Sequence, residues 1–205
     1  MQIISHRGYW RAPAEKNSRA AFERTLKAGF GTETDVRDLA GRLVVSHDPP
    51  TGGEMGWGEL VAMFEGSGLP LAVNVKADGL APQLAQAFAA SATPWFAFDM
   101  SGPQTVVFAR AGLPFYTRHS DVEPEPILYA EAAGVWLDAF TNDQWIRPEL
   151  VRRHLDAGKA VCVVSSELHG RDPASLWDRL AGLKGEGRVT LCTDRPEDAK
   201  AALDL

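Results

Sequence analysis

The sequence has few cysteines, no excess of positive charge and no long apolar run. Its two cysteines, Cys162 and Cys192, lie in apolar stretches typical of strands, so we predict two buried thiols rather than a disulfide or a metal pair. The formal net charge of -6 argues against nucleic-acid binding as a main function, because such proteins usually carry a basic face. No apolar run approaches the length of a membrane span, and the first six residues lack the pattern of a secretory leader. We therefore expect a cytoplasmic protein without stable membrane insertion.

The sequence also lacks a glycine-rich phosphate-binding fingerprint after its first predicted strand, which weakens the prediction of a doubly wound open sheet. Strand-length apolar runs instead alternate with helix-like segments, a pattern typical of parallel α/β folds. We count eight such units, and eight β/α units in one domain predict a closed barrel. The 205 residues, 45% of them apolar, suit a single domain over residues 1–205: a compact (β/α)8 TIM barrel.

The eight units set the expected element boundaries. Asn17 or Ser18 is the predicted N-cap of the first helix, and Gly29 is expected to end it. The least clearly marked strand covers residues 114–117 and is followed by a predicted helix over 126–133. The predicted strands begin at 3–4 and include the segment after Gly31, then 71–75, 95–98, 114–117, 134–138, 160–164 and 189–192. The predicted helices cover 18–27, 57–64, 82–90, 103–110, 126–133, a segment starting at 148, 173–183 and 196–203.

Two carboxylates, Glu33 and Asp35, stand two residues apart in the second predicted strand, so both point to the same face. Two like charges on one face indicate that a cation or a cationic substrate sits between them. A hairpin turn centred on Ala40 would pair Asp35 with Val45 and Glu33 with His47, which brings an imidazole beside the carboxylates. This register is a hypothesis, because a one-residue slip would send His47 to the other face.

Polar residues follow most of the predicted strands, and in a TIM barrel the carboxyl ends of the strands carry the function. A lone strand-end residue is more often a cap or a surface charge, so the early group is the stronger signal. That group has what metal-assisted phosphoryl chemistry needs. Hard oxygen ligands hold a divalent cation, cationic side chains stabilise the phosphoryl oxygens, and two histidines divide the acid and base roles. The early group comprises His6, Arg7, Glu33, Asp35, His47, Asn74 and Lys76, and the later one Asp99, Arg118, His119, Asp138, Glu167, His169, Arg171 and Asp194.

These residues stand in motifs that resemble the glycerophosphodiester phosphodiesterase family. The motifs are Ser5-His6-Arg7-Gly8, Glu15-Lys16-Asn17-Ser18, Glu33-Thr34-Asp35-Val36 and Val44-Val45-Ser46-His47-Asp48, with weaker matches at Val73-Asn74-Val75-Lys76, Phe98-Asp99 and Thr193-Asp194-Arg195-Pro196. The resemblance implies a barrel that hydrolyses phosphodiesters with a divalent metal, usually Mg²⁺ or Ca²⁺. It further implies that His6 and His47 are the acid/base pair, that Glu33 and Asp35 bind the metal, and that Arg7 and Lys76 contact phosphate.

The sequence departs from the family pattern at three places. Asn74 stands where the family has a third metal-binding Glu, and we expect its amide oxygen to join the metal ligands without adding charge. Residues 49–57 replace the family's sizeable insertion, and Val164-Ser165-Ser166-Glu167 replaces its usual Trp-Thr-Val-Asn. These changes bear on the expected metal affinity and on the identity of the substrate.

We therefore predict a metal-dependent phosphodiesterase acting on a small polar glycerophospho- or sugar-phosphodiester. Arg118, His119 and Glu167 are expected to form a polar wall that favours a hydroxylated or anionic headgroup over an acyl chain. Two alternatives stay open: a catalytically weak barrel that binds a phosphorylated ligand, and a lyase in which an internal hydroxyl attacks and a cyclic phosphate is released.

Overall fold

Eight parallel strands form a nearly closed barrel in the computed structural model, which describes residues 1–205. The sheet order is β5-β4-β2-β1-β9-β8-β7-β6, and a bridge between Ala97 and Phe115 joins its two ends. The predicted compact TIM barrel is confirmed. The strands are β1 Gln2–His6, β2 Gly31–Leu39, β3 Arg42–Val45, β4 Leu71–Val75, β5 Trp95–Phe98, β6 Tyr116–Ser120, β7 Gly134–Asp138, β8 Ala160–Val164 and β9 Val189–Thr193. Strand β3 pairs with β2 in antiparallel orientation.

Seven α-helices pack outside the barrel, and most begin and end within two residues of their predicted positions. Ser18 caps the first helix, since its Oγ accepts from the amide of Ala21 at 3.3 Å. Gly29 ends that helix in the left-handed conformation at φ 76°. None of the helices combines the length and apolar character needed to cross a bilayer. The helices are α1 Arg19–Ala28, α2 Trp57–Phe64, α3 Ala81–Phe88, α4 Gly102–Arg110, α5 Pro148–Asp156, α6 Ala174–Leu180 and α7 Pro196–Leu203.

The helix predicted over 126–133 is wrong, because that segment consists of turns. Pro124 and Pro126 restrict the residues before them to extended backbone, which opposes a helix start. Leu128 then adopts a left-handed conformation at φ 48°, which a right-handed helix cannot contain. The preceding strand also starts two residues later than predicted, at Tyr116, and runs on to Ser120.

The β2–β3 hairpin has a register that differs by one residue from the predicted one. Ala40 and Gly41 both have positive φ, at 50° and 80°, which makes a two-residue turn of the type that matches the twist of a hairpin. Val45 therefore pairs with Val36, whereas the predicted turn paired it with Asp35. The predicted pairing of Glu33 with His47 is wrong for the same reason.

The apolar core has an inner layer within the barrel and an outer layer under the helices. Alternation along the strands divides neighbours between them, so Ile3 packs outward and Ile4 inward. The inner layer contains both free cysteines, which confirms the predicted buried thiols. Burial raises the pKa of each thiol well above its usual range. Phe98 stacks on Trp136 at 3.7 Å between ring centroids and, with the rest of this layer, fills the barrel below the rim.

Candidate active site

The two carboxylates of β2 are fully buried at the carboxyl end of the barrel, with Glu33 1% and Asp35 0% exposed. The amide of Arg7 donates to Glu33 Oε2 at 3.1 Å, and Arg7 Nε lies 3.0 Å from Asp35 Oδ2. Asn17 Nδ2 donates to the same Oδ2 at 2.9 Å, and Lys76 Nζ lies 3.4 Å from Asp35 Oδ1. Burial, followed by the charge of Asp35, raises the pKa of Glu33 well above its usual value. This buried setting therefore disfavours negative charge on both carboxylates at once.

Asn74 stands beside Asp35 in the β2–β4 register and turns its amide nitrogen away from it. Asn74 Nδ2 donates to Asp99 Oδ2 at 3.1 Å. Asn74 Oδ1 and Asp35 Oδ1 are both buried without a hydrogen bond, which is uncommon for buried acceptors, and Asp35 Oδ1 has only the ion-pair contact with Lys76. No cluster of three or more His, Cys, Asp or Glu side chains is arranged to hold a metal. Glu33, Asp35 and Asn74 nevertheless offer two carboxylates and an amide oxygen. Asp35 and Asn74 each have an acceptor atom without a hydrogen bond, so this set fits a hard divalent cation.

His6 is held against the carboxylates by an aspartate from the opposite end of the chain. Its Nδ1 lies 2.7 Å from Asp194 Oδ1, and its Nε2 lies 3.8 Å from Glu33 Oε2. Burial lowers the pKa of His6, although the hydrogen bond to Asp194 acts in the opposite direction. With Nδ1–H donating to Asp194, the neutral ring keeps a lone pair on Nε2. This is the form that can accept a proton.

His47 follows β3 and lies at the outer edge of the site, with 42% of its side chain exposed. Its Nδ1 lies 2.9 Å from Asp48 Oδ1, and its carbonyl oxygen accepts from Arg37 Nε at 2.9 Å. It lines an open cavity of about 650 Å³ together with Asn17, which itself touches Asp35. His47 therefore lies on the hairpin side of the site and does not line the cavity that contains His6.

The cavity inside the rim measures about 200 Å³ and gathers most of the early polar group. It also contains an imidazole–carboxylate pair, with His169 Nε2 2.7 Å from Asp138 Oδ1. The apolar side chains at its base belong to Phe98, Trp136, Val164 and Leu168. The polar side chains that line it are His6, Arg7, Glu33, Asn74, Lys76, Asp99, Asp138 and His169.

The later residues expected to bind substrate, Arg118, His119 and Glu167, lie in three different surroundings. Arg118 pairs with Asp99 at the rim. The structure does not bring His119 to the site: it points outward and contacts His154 of α5, with 3.1 Å between Nδ1 and Nε2. Consecutive strand residues point to opposite faces, so Arg118 and His119 cannot both face the barrel interior. Glu167 accepts from Asp194 N at 3.0 Å and from nearby hydroxyls, so it braces the loop that carries Asp194.

Two residues of the site have roles that the sequence did not predict. Asn17 was considered only as a helix cap, yet it holds both Asp35 and the hydroxyl of Thr34, whose Oγ1 donates to Asn17 Oδ1 at 2.9 Å. Asp194 is one of the polar strand-end residues expected at the rim, and the structure adds that it orients His6. Both residues stand in motifs that carry the family resemblance, and those motifs are the signal that could have identified them.

No protein-family model matches the chain, and the comparison with curated proteins found no match. Its fold is similar to that of solved structures. A glycerophosphodiester phosphodiesterase from Parabacteroides distasonis has a TM-score of 0.69 at 17% identity, over 99% of this chain and 96% of that one. A phosphodiesterase from Oleispira antarctica, in complex with the product sn-glycerol-3-phosphate, has a TM-score of 0.73 at 16% identity, over 100% and 97%.

A third structure is more distant. A Ca²⁺-dependent phosphatidylinositol-specific phospholipase C from Streptomyces antibioticus has a TM-score of 0.59 at 11% identity, over 97% of this chain and 96% of that one. At these identities the three structures establish a shared barrel fold over nearly the full length of each chain. The function of this protein must be argued from its own residues, because a shared fold does not establish a shared activity.

Proposed function

We propose that this protein is a metal-dependent phosphodiesterase that hydrolyses a small polar diester, of the glycerophospho- or sugar-phosphodiester class. The observation that carries the proposal is the buried pair Glu33 and Asp35, flanked by two cationic side chains and an imidazole. Such a group suits a phosphoryl centre, which needs a cation, stabilisation of negative oxygens and a proton acceptor. The three structures of similar fold support it, since each is a phosphodiesterase or a phospholipase C by name.

Glu33, Asp35 and Asn74 are the residues that would hold the cation, either Mg²⁺ or Ca²⁺. A bound divalent cation supplies charge stabilisation to the phosphoryl oxygens. Asn74 contributes an oxygen but no charge, so the ligand set has two formal negatives. Arg7 and Lys76 already neutralise Asp35, and both line the cavity or its edge. We assign them to the phosphate oxygens of the substrate, where fixed positive charge favours the transition state.

His6 and His47 are the proposed acid/base pair. His6 holds its proton on Nδ1 through Asp194, so its Nε2 can take a proton from the attacking oxygen. His47 stands on the hairpin side, where a substrate that extends from the cavity across Asn17 would meet it. It would return a proton to the departing oxygen. The second histidine thus acts at the outer end of the substrate, which agrees with its greater exposure.

Catalysis is favoured over simple binding by the residues that the cavity retains. A catalytically weak binding barrel has no need for an imidazole fixed by a dedicated carboxylate, as His6 is by Asp194. The polar lining of the cavity also suits a water-soluble diester better than an acyl chain. A cyclic phosphate could form from any substrate with a hydroxyl beside the ester, glycerophosphodiesters included, so the product distinguishes a lyase from a hydrolase.

The test is a screen of water-soluble phosphodiesters with and without added Mg²⁺, Ca²⁺ or Mn²⁺, followed by phosphorus NMR. We expect metal-dependent release of a phosphomonoester. A cyclic phosphate product would identify a lyase, and binding of diesters without turnover would identify a binding protein. Turnover unaffected by chelator would contradict the assigned cation ligands. Cleavage of phospholipid vesicles faster than every soluble diester would contradict the proposed substrate class.

A further inference from the structure

The barrel has one weak seam, between β5 and β6. These two strands meet through a single bridge, Ala97 to Phe115, whereas other neighbours in the barrel pair over at least three residues. The helix that should follow β6 is replaced by turns. A cavity of about 250 Å³ lies at this seam, which we call the seam cavity. Its walls come from β6, from the start of α4 and from the loop after β6, through residues that include Arg118, Ser101 and Glu125.

The seam cavity is joined to the candidate active site by Asp99, which lines both cavities. A line of polar contacts runs through this residue. Asn74 Nδ2 donates to Asp99, Asp99 pairs with Arg118, and Arg118 Nε lies 3.4 Å from Glu123 Oε2. A group attached to a phosphate beside Asn74 would therefore lie next to the wall that the two cavities share.

The lining of the seam cavity defines what it would accept. It contains three carboxylates and one guanidinium, and Arg118 pairs with two of the carboxylates, Asp99 and Glu123. Glu125 makes no ion pair, so its charge is free to meet a ligand. Ser101 and Tyr116 also line the cavity, and the hydroxyl of Ser101 is already engaged, donating to Asp78 Oδ2 at 2.9 Å and accepting from Gln104 N at 3.2 Å. An excess of acceptors and negative charge disfavours a second anion or an acyl chain and favours ligand O–H or N–H donors.

We propose that the seam cavity binds one of the two groups esterified to the phosphate and selects groups rich in hydrogen-bond donors, either hydroxyls or an ammonium. This inference rests on the proposed function, because the phosphate must lie at the cation ligands. It also narrows that function, since a hydroxylated or amine-bearing headgroup is expected and an anionic one is not.

The experiment measures binding of methyl phosphodiesters by calorimetry in the presence of Mg²⁺, and their cleavage by phosphorus NMR. The second ester group is methyl, glyceryl, 2-aminoethyl or carboxymethyl. We expect the glyceryl and aminoethyl diesters to bind about tenfold more tightly than dimethyl phosphate, and the carboxymethyl diester no more tightly. Glu125→Trp, which fills the cavity, should abolish the preference and leave dimethyl phosphate binding unchanged. Glu131→Trp, an exposed position on the same loop that does not line the cavity, is the matched control.

Further outcomes distinguish the assignment of the seam cavity from the proposed reaction. Glu125→Gln should weaken the aminoethyl diester more than the glyceryl diester, because only the former carries a charge. If Glu125→Trp keeps the full preference, or if wild type shows none, the assignment of the seam cavity is overturned. Selective binding without any cleavage would refute the hydrolase and leave the cavity assignment standing. Absence of binding by every diester would overturn both.

Discussion

The two sides of the barrel rim are built differently. On one side β1, β2 and β4 pair continuously, and this side carries His6, Glu33, Asp35 and Asn74. On the other side the barrel closes through one bridge, and a loop stands in place of a helix. The first side buries its carboxylates fully, whereas the seam carries exposed ones such as Glu125.

This difference fits the separate roles proposed for the two sides. Cation ligands and a proton acceptor must be held within a fraction of an ångström, which continuous strand pairing achieves. Recognition of a substrate headgroup tolerates looser walls and can rest on loops carried by the rigid barrel. The continuous side is therefore assigned to the reaction and the seam to the choice of substrate. Mutations on the two sides should differ accordingly in size and kind.

The largest effect is expected from Asp35→Asn on the continuous side. Removing this charge leaves one formal negative among the cation ligands, and several kcal/mol of charge stabilisation corresponds to a loss of roughly 1000-fold in kcat/KM. Asp38→Asn, at an exposed position of the same strand, should leave activity unchanged. Glu123→Gln at the seam should change turnover less than tenfold. Comparable losses at Asp35 and Glu123 would break the distinction between the two sides.

The next effect concerns the histidines. Replacing either His6 or His47 with Ala should lower turnover by about 100-fold, the usual scale of general acid–base catalysis. Metal binding and circular dichroism should be unchanged, since neither residue is an assigned cation ligand. Steady-state kinetics with a glyceryl diester measures both variants. Full activity of a folded His47→Ala protein would remove that residue from the mechanism and confine the reaction to the inner cavity.

A pH effect on stability is expected on the outer face of the seam side, at the pair His119 and His154. Burial, with smaller contributions from His119 and Arg153, lowers the pKa of His154 to about 4. Unfolding returns it to about 6.5, so the unfolded chain binds the extra proton between these values. Stability from this group is therefore complete above pH 6.5 and is lost as the pH falls toward 4, by about 2 kcal/mol after allowance for solvent screening.

Urea unfolding of wild type and His154→Gln between pH 7.5 and 4 tests this expectation. The variant should lose the part of the pH dependence that belongs to the histidine and keep the part due to carboxylates. Parallel curves for the two proteins would show that His154 does not titrate as described. Activity at pH 7.5 should be similar in both, because this pair lies outside the candidate active site.

The smallest effect is expected from Asn74→Glu, which restores a third carboxylate to the continuous side. Calorimetry should show weak Mg²⁺ binding to the wild-type protein and tightening by a phosphate analogue, because Mg²⁺ often takes part of its coordination from substrate phosphate. The variant should bind the metal about tenfold more tightly without the analogue. If neither protein binds Mg²⁺, Ca²⁺ or Mn²⁺, Glu33 and Asp35 are not cation ligands.

The sequence by itself determined most elements and the inner part of the site. Helix α1 was predictable because its cap at Ser18 and its end at Gly29 depend on residues within one turn. The shared face of Glu33 and Asp35 followed from strand alternation, which needs only neighbouring residues. Eight repeated β/α units were enough to indicate a barrel, because each unit carries its own pattern.

Tertiary structure decided what depends on register and on contacts between distant residues. A positive φ at both Ala40 and Gly41 shifted the hairpin by one residue, and that shift moved His47 out of its predicted pairing. Asp194 meets His6 across 188 positions of the sequence, and no local preference can specify such a contact. The seam depends on how β5 and β6 lie relative to each other, since the two meet only at the bridge between Ala97 and Phe115. Local propensity acts over a few residues, whereas the placement of a side chain at the rim depends on how whole strands align around the barrel.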